Sequence, residues 1–308
     1  MSAMSLVLAI DGGGSKTACA VARDGAVVAE FSAGPSNLVR ISPEEARKAL
    51  LEAMHGACRA AGVSLGDVNA VCAGLAGAGR DLIRDKAEAI LRTELKCPFE
   101  VVGDMEIAFD GAFLGGPGLV VISGTGSIAY GRNERNDSAR AGGWGSVISD
   151  EGSGYWIGRR AVSLCLRAID TGQTTSLVHH LMNAWHFAMR DDLVVFCNSQ
   201  PPPNFAELFP VVLEAAAEGD TVAQELLTEA GSELAKLAKI VVRKLWPTRV
   251  VVHVALAGGV FQNSAVVRQV FENSLRSERP DAKVRMTNVE PLAGALYRAE
   301  KLAKTVHR

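Results

Sequence analysis

No stretch of this 308-residue sequence approaches the ~20 consecutive apolar residues that a bilayer span requires. A membrane partner is therefore not expected. A basic excess is missing as well: Lys and Arg number 32 against 34 Asp and Glu, for a formal charge of −2. With no basic block along the chain, a nucleic-acid partner is not expected either. Cysteines are scattered, at Cys19, Cys58, Cys72, Cys97, Cys165 and Cys197, and no C-x-x-C pair occurs. That spacing argues against a zinc or iron–sulfur framework and for free thiols kept reduced. His179, His180 and His186 form no known metal-ligand spacing. The opening Met1-Ser2-Ala3-Met4 carries neither the charged nor the apolar region of a secretion signal, so the expected setting is cytoplasmic. What is present is ordinary for a globular chain, 48% apolar and 21% charged, and the length suffices for two domains with separate cores.

The chain is organised around Leu6-Val7-Leu8-Ala9-Ile10-Asp11-Gly12-Gly13-Gly14-Ser15-Lys16-Thr17. An apolar run delivers a carboxylate, then three glycines, then Ser, Lys and Thr. Glycines let backbone N–H groups approach a phosphate because no Cβ intervenes. A carboxylate suits a hard cation such as Mg²⁺, which bridges phosphates. Residues 17–23, the pair Asp24-Gly25 and residues 26–29 read as strand, hairpin turn and strand. A Walker A loop would place Gly directly before Lys16 and a helix after it; Ser15 and a strand stand there instead. A dinucleotide fingerprint would need a third glycine where Thr17 stands. The stretch is a phosphate-binding hairpin of another kind, or an ordinary hairpin turn.

Next, Ser32-Ala33-Gly34-Pro35-Ser36-Asn37 is a loop in which Asn37 is either a ligand or a turn residue. Ser42-Pro43-Glu44-Glu45 supplies a capping box with proline at the first helical position. The helix it opens ends at Gly62, with Ala46, Leu50, Leu51, Met54 and Cys58 on one face. Residues 70–73 read as a short buried strand, 82–95 as a second amphipathic helix, and 99–104 as a strand ending on Asp104, with helix over 105–113. A carboxylate at a strand's carboxyl end stands where α/β sheets bind ligands; as a helix cap it would be structural. Gly115-Gly116-Pro117-Gly118 marks a domain change. After it, Ile122-Ser123-Gly124-Thr125-Gly126-Ser127 lines up with Ile10-Asp11-Gly12-Gly13-Gly14-Ser15. The repeat points to two domains of like topology; chance similarity of glycine turns is the alternative.

The second half adds Gly142-Gly143-Trp144-Gly145 and Asp150-Glu151-Gly152-Ser153-Gly154, a loop rich in backbone freedom and carboxylates. Helices are expected over 155–168, 221–246 and 264–275, a surface loop over 198–204, strands over 249–256 and 284–286, and a last helix over 291–304. Ala257-Gly258-Gly259-Val260 either lets backbone approach an adenosine or is a plain helix-entry turn.

Together Asp11-Gly12-Gly13-Gly14-Ser15-Lys16-Thr17, Gly34-Pro35-Ser36-Asn37, Gly103-Asp104, Ser123-Gly124-Thr125-Gly126-Ser127, Gly143-Trp144-Gly145, Asp150-Glu151-Gly152-Ser153-Gly154 and Ala257-Gly258-Gly259-Val260 resemble one family. It is the BadF/BadG/BcrA/BcrD-type ATPase family, and within it the N-acetylglucosamine kinases. The likeness runs over nearly the whole chain, through motifs that are specific jointly rather than singly. It implies an α/β fold of two duplicated actin-like ATPase (ribonuclease H-like) domains with an interdomain nucleotide cleft. The first would cover residues 1–116 and the second 117–290, with a C-terminal helix over about 291–308 returning to the first. ATP and Mg²⁺ are the implied cofactors, an amino sugar the implied partner, and a homodimer the implied assembly.

By the same resemblance Asp11 would hold Mg²⁺, directly or through water. Gly13, Gly14, Ser15, Lys16 and Thr17 would form the first phosphate loop, and Gly124, Thr125 and Gly126 the second. Gly258 and Gly259 would border the adenosine. Asn37, Asp104, Trp144 and Asp150 would line the sugar pocket, with Asp104 as the catalytic base toward the 6-hydroxyl. Three positions depart from the family pattern: Gly103 stands where relatives often have Asn, Ser149 where they usually have Gly, and Ala76 where some have Ser. These bear on the pocket, so N-acetylglucosamine, glucosamine and N-acetylmuramic acid all stay open as acceptors.

Two rival functions remain. Activators in the same family couple ATP hydrolysis to electron transfer through an iron–sulfur cluster held between subunits, against which the scattered cysteines argue. A non-catalytic sugar sensor usually carries an added DNA-binding segment that this chain does not show, and Asp11 with Asp104 favours catalysis. The expected chemistry is phosphoryl transfer, which needs positioning and charge neutralisation more than covalent steps.

Overall fold

The computed structural model describes residues 5–306. The start Met1–Met4 read for a secretion signal, and the last two residues of the helix expected to reach 308, lie outside the described residues. The first half of the chain forms β1 (Leu6–Gly12), β2 (Thr17–Arg23), β3 (Ala26–Ala33), α1 (Pro43–Ala60), β4 (Ala70–Leu75), α2 (Asp81–Arg92), β5 (Phe99–Gly103) and α3 (Asp104–Phe113). The second half begins with β6 (Gly118–Ser123), β7 (Ser127–Arg132), β8 (Ser138–Gly142), α4 (Gly154–Thr171), α5 (Leu177–Ala184), α6 (Arg190–Cys197), α7 (Phe209–Ala217) and α8 (Thr221–Leu245). It closes with β9 (His253–Ala257), α9 (Gly259–Asn263), α10 (Ala265–Glu278), β10 (Lys283–Met286) and α11 (Pro291–Val306). Two compact units result: one runs to Gly116 and resumes at Asn288, and the other is Pro117–Thr287. Among the described residues no helix is long and apolar enough to cross a membrane.

In the first unit a five-stranded sheet has the order β3-β2-β1-β4-β5. β2 is antiparallel to β1 and β3, whereas β4 is parallel to β1 and β5. β1 is an unbroken apolar run because both of its faces are covered. Leu8 and Ile10 pack with Leu50, Ala53 and Met54 of α1, while Val7 and Ala9 pack with Ala295, Leu296 and Ala299 of α11. The alternation of a strand sorts the two sets. Arg298 pins α11 further: its Nε donates to the buried Asp110 of α3 at 2.6 Å, and its Nη1 to Glu100 of β5 at 3.2 Å.

The second unit repeats the arrangement strand for strand. Its sheet has the order β8-β7-β6-β9-β10; β7 is antiparallel to β6 and β8, and β9 is parallel to β6 and β10. The duplication expected from two glycine turns is a duplication of topology. Register refines the match. Gly12 pairs with Thr17, and Ser123 with Ser127. Asp11 therefore corresponds to Ile122 rather than Ser123, and the second turn is one residue shorter than the first.

Several element bounds differ from the sequence reading: β4 runs on to Leu75, α4 to Thr171 and α10 to Glu278. The second helix stops at Arg92. The strand expected from residue 249 begins at His253, because the carbonyls before it are already occupied. The guanidinium of Arg279 donates to Trp246 O at 3.0 Å and Val250 O at 2.9 Å. A side chain from the end of α10 thus does the work that a neighbouring strand would do in a ladder.

Candidate active site

β1, β4 and β5 are parallel, and their carboxyl ends are the edge of the sheet where ligands sit in α/β folds. Asp11 and Asp104 both lie on this edge. Asp104 opens α3 behind the cap residue Gly103, whose amide donates to Glu106 at 3.1 Å. Its own Oδ1 accepts from the Met105 amide at 2.9 Å. A helix N-terminus favours negative charge, yet burial outweighs these donors and raises the Asp104 pKa above the ordinary carboxylate value. Asp11 is pushed up to about 6, by burial first and the Asp104 charge second, with Lys16 opposing. Two carboxylates from separate strand ends thus resist ionising together, a conflict that a bound cation relieves.

The hairpin between β1 and β2 closes through the Gly13 amide, which donates to Lys16 O at 2.9 Å. Gly14, Ser15 and Lys16 are exposed. Thr17 is not: it is fully buried, and its hydroxyl lies 2.8 Å from both Gly34 O and Ser36 Oγ. Thr17 braces the loop against the segment 34–37, and the Ser36 amide returns a bond to Gly13 O at 3.2 Å. Asn37 accepts from the Val39 amide through Oδ1 at 2.9 Å. Its Nδ2 stands 3.8 Å from where a Cβ on Gly14 would be, and Arg40 Nη1 stands 3.5 Å from the same point. Arg40 was missed in the sequence; its only signal was a place three residues beyond Asn37.

In the second unit the turn 124–126 follows β6, with the Gly124 amide donating to Gly126 O at 3.0 Å. The turn 150–154 braces it. Ser123 Oγ donates to Gly152 O at 2.9 Å, Ser127 Oγ to Glu151 O at 2.8 Å, and the Gly154 amide to Gly124 O at 2.8 Å. Thr125 at the tip is exposed. Asp150 has a left-handed backbone, φ 65°, which a short polar residue tolerates better than most. It is buried, its Oδ1 accepts from the Gly145 amide at 3.3 Å, and its Oδ2 comes within 2.8 Å of a Cβ position on Gly126. The carboxylate therefore sits against the second glycine turn.

Trp144, half-exposed, carries the guanidinium of Arg140 over its ring at 4.1 Å. Arg140 was also missed, because the bend at Gly142 and Gly143 brings it back onto the indole. Gly258 has φ 97°, and a Cβ there would meet Ser123 O at 2.3 Å. Close packing on the end of β6 gives this glycine a structural reason, and it also sets Gly258 and Gly259 beside the second turn. The first unit thus gathers Asp11, residues 13–17, Asn37 and Asp104; the second gathers residues 124–126, Asp150, Gly258 and Gly259, with Trp144 on the adjoining loop.

Residues 8–299 match the BadF/BadG/BcrA/BcrD ATPase family. An N-acetylmuramic acid/N-acetylglucosamine kinase of Clostridium acetobutylicum is 36% identical over 286 residues, covering 91% of this chain and 94% of that protein. A crystal structure from Chromobacterium violaceum, provisionally described as an N-acetylglucosamine kinase, is similar with a TM-score of 0.77 at 26% identity, covering 97% of this chain and 99% of that one. A ROK family glucokinase from Streptomyces griseus, solved with glucose and AMPPNP, has a TM-score of 0.56 at 22% identity over 96% and 99% of the two chains, which is a likeness of fold. The fold of this chain is the actin-like ATPase fold of such sugar kinases.

Proposed function

The chain belongs to the BadF/BadG/BcrA/BcrD ATPase family, and from that premise we propose that it is an ATP-dependent amino-sugar kinase acting on the 6-hydroxyl of N-acetylglucosamine. The observation that carries this reading is Asp104, a carboxylate lifted by burial at the head of α3 and sharing a field with Asp11.

Asp104 acts as general base. It takes the proton from O6 of the sugar as O6 bonds to the γ-phosphorus, and the bond from that phosphorus to the bridging oxygen breaks to release ADP. A carboxylate with a raised pKa is a better proton acceptor than a solvated one. Lys16 and the backbone of residues 13–17 and 124–126 supply fixed positive charge to the phosphates. Asp11 offers a hard oxygen donor beside a second carboxylate, Asp104, with Lys16 as the opposing charge, which fits Mg²⁺; the ion, when bound, neutralises phosphate charge. Asn37, Trp144 and Asp150 orient the sugar, and Gly258 and Gly259 border the adenosine. A cytoplasmic setting and a homodimer extend the reading; the six unpaired thiols support the former, and sedimentation tests the latter.

The test is ADP release over a panel of sugars. Asp104→Asn should keep sugar and ATP binding while kcat falls by about 10²–10⁴-fold. Unchanged turnover would remove Asp104 from its role.

A second acceptor is favoured by Arg140 stacked on Trp144. A guanidinium beside the sugar suits the carboxylate of N-acetylmuramic acid and disfavours the ammonium of glucosamine. Arg140→Met should raise KM for N-acetylmuramic acid more than for N-acetylglucosamine; equal changes would exclude a carboxylate contact.

A further inference from the structure

One face of α4 bounds a cavity of about 580 Å³ within the second unit. None of the residues given a role above lines it. Tyr155, Arg159, Ser163 and Arg167 stand along one side. They recur every four residues, so they form one stripe of the helix, about 18 Å long at 1.5 Å per residue. Val162 and Leu166 lie beside the stripe, and Cys197, Pro202 and Phe205 make an apolar wall, with Asn198 beside them. The wall is fixed: the buried Phe205 ring meets Tyr155 edge to face, with centroids 5.3 Å apart.

Charge decides what such a cavity takes. Arg159 and Arg167 are exposed, and among the described residues neither makes an ion pair, although Asp170 also lines the cavity. Arg160, on another face of the helix, has Glu229 at 3.5 Å. Two guanidinium groups therefore stand against one carboxylate above an apolar floor. The volume falls in the range of small-molecule sites, which combine apolar walls with a few placed polar groups.

We propose that this cavity binds a small amphipathic anion. An aromatic or branched apolar body lies on Leu166 and Phe205, and an oxyanion, carboxylate or phosphate, is held by Arg159 and Arg167 with the Ser163 hydroxyl between them. Guanidinium groups fit both oxyanions through paired donors. The occupant also acts on acceptor binding, because Val147 lines the cavity too and belongs to the loop that carries Trp144 and Asp150. Tyr155 adds a second link, its amide donating to Thr125 O at 3.4 Å. The effect on the acceptor rests on the kinase reading; the binding does not.

The probe is 1-anilinonaphthalene-8-sulfonate, apolar rings bearing one anion, titrated into the full-length protein. Saturable binding is expected, weakened about tenfold or more when Arg159→Glu and Arg167→Glu are combined. Ser163→Trp should abolish it by filling the cavity from an exposed helix position without altering charge. Displacement by phenyl phosphate or by hippurate shows which oxyanion is preferred. Equal dye binding by the wild type and both variants overturns the proposal, and displacement by neither competitor overturns the anion assignment. Saturating dye should also shift KM for the amino sugar about fivefold in the wild type and not in the Ser163→Trp variant. An unchanged KM overturns the effect on the acceptor. A protein with no kinase turnover would instead strike the proposed function and leave the dye titration standing.

Discussion

The hairpin between β1 and β2 and the hairpin between β6 and β7 occupy the same place in two sheets of the same order, yet they are held and charged differently. The first is braced from segment 34–37, through the buried hydroxyls of Thr17 and Ser36. The second is braced from segment 150–154, through Ser123 and Ser127. At the strand position where the first carries Asp11, the second carries Ile122. The scaffold was duplicated and the charge was not. On the proposed function, metal and proton chemistry fall to the first unit, whose hairpin carries the carboxylate, while the second hairpin offers neutral donors.

After the loss expected for Asp104→Asn, the next largest effect exposes that asymmetry. Asp11→Asn should reduce kcat by about 10²–10³-fold, the scale for losing one preorganised electrostatic group. Activity near the wild-type level would move the metal and phosphate chemistry away from the first hairpin. Gly258→Ala comes next and acts on stability. A methyl facing the Ser123 backbone, at a positive φ, should cost about 3 kcal/mol or more. Denaturant unfolding of the variant measures it, and a loss under 1 kcal/mol would mean that the end of β6 yields. Smaller and matched changes should follow from Thr17→Val and Ser127→Ala. Each removes an internal brace, worth about 1–2 kcal/mol when the partner stays buried. If Thr17→Val instead lowered kcat at unchanged stability, its hydroxyl would be a phosphate ligand and not a brace.

How much of this was legible in the sequence follows from distance along the chain. The Asp11 hairpin, the capping box at Ser42 and the Asp104 strand end are local patterns, and they stand where the sequence puts them. The internal repeat was visible as glycine turns, but its register was not, because one residue of loop length moves every equivalence by a position. The late start of β9 depends on Arg279, about thirty residues downstream, reaching carbonyls that no local propensity reports. Arg40 beside Gly14 was missed for the same reason, and Arg140 over Trp144 because the bend at Gly142 and Gly143 makes that contact. Charged side chains carry no periodic signal that says which backbone or ring they will cover. Asp150 was found as a motif, while its left-handed backbone against Gly126 appears only once the turn is folded.

The smallest effect is the sharpest probe of the unshared charge. The Asp11 carboxyl titrates near its ordinary value of 3.8 in the unfolded chain and at about 6 in the folded one. Between those limits the folded chain keeps a proton that the unfolded chain has released. Unfolding free energy must therefore fall as pH rises through that window and level off above it. A shift of this size sets a ceiling of about 3 kcal/mol, and partial exposure to solvent reduces it to about 1 kcal/mol. Asp104, raised in the same direction, adds to the slope. Thermal melts of the nucleotide-free protein from pH 4 to 7.5 should show the decline, and Asp11→Asn should flatten part of it while melting higher at pH 7.5. Added Mg²⁺ should restore stability in the wild type and not in the variant. A wild-type slope unchanged by the substitution would mean that Asp11 ionises freely, and the first hairpin would then be as neutral in its energetics as the second, where Ile122 has no proton to lose.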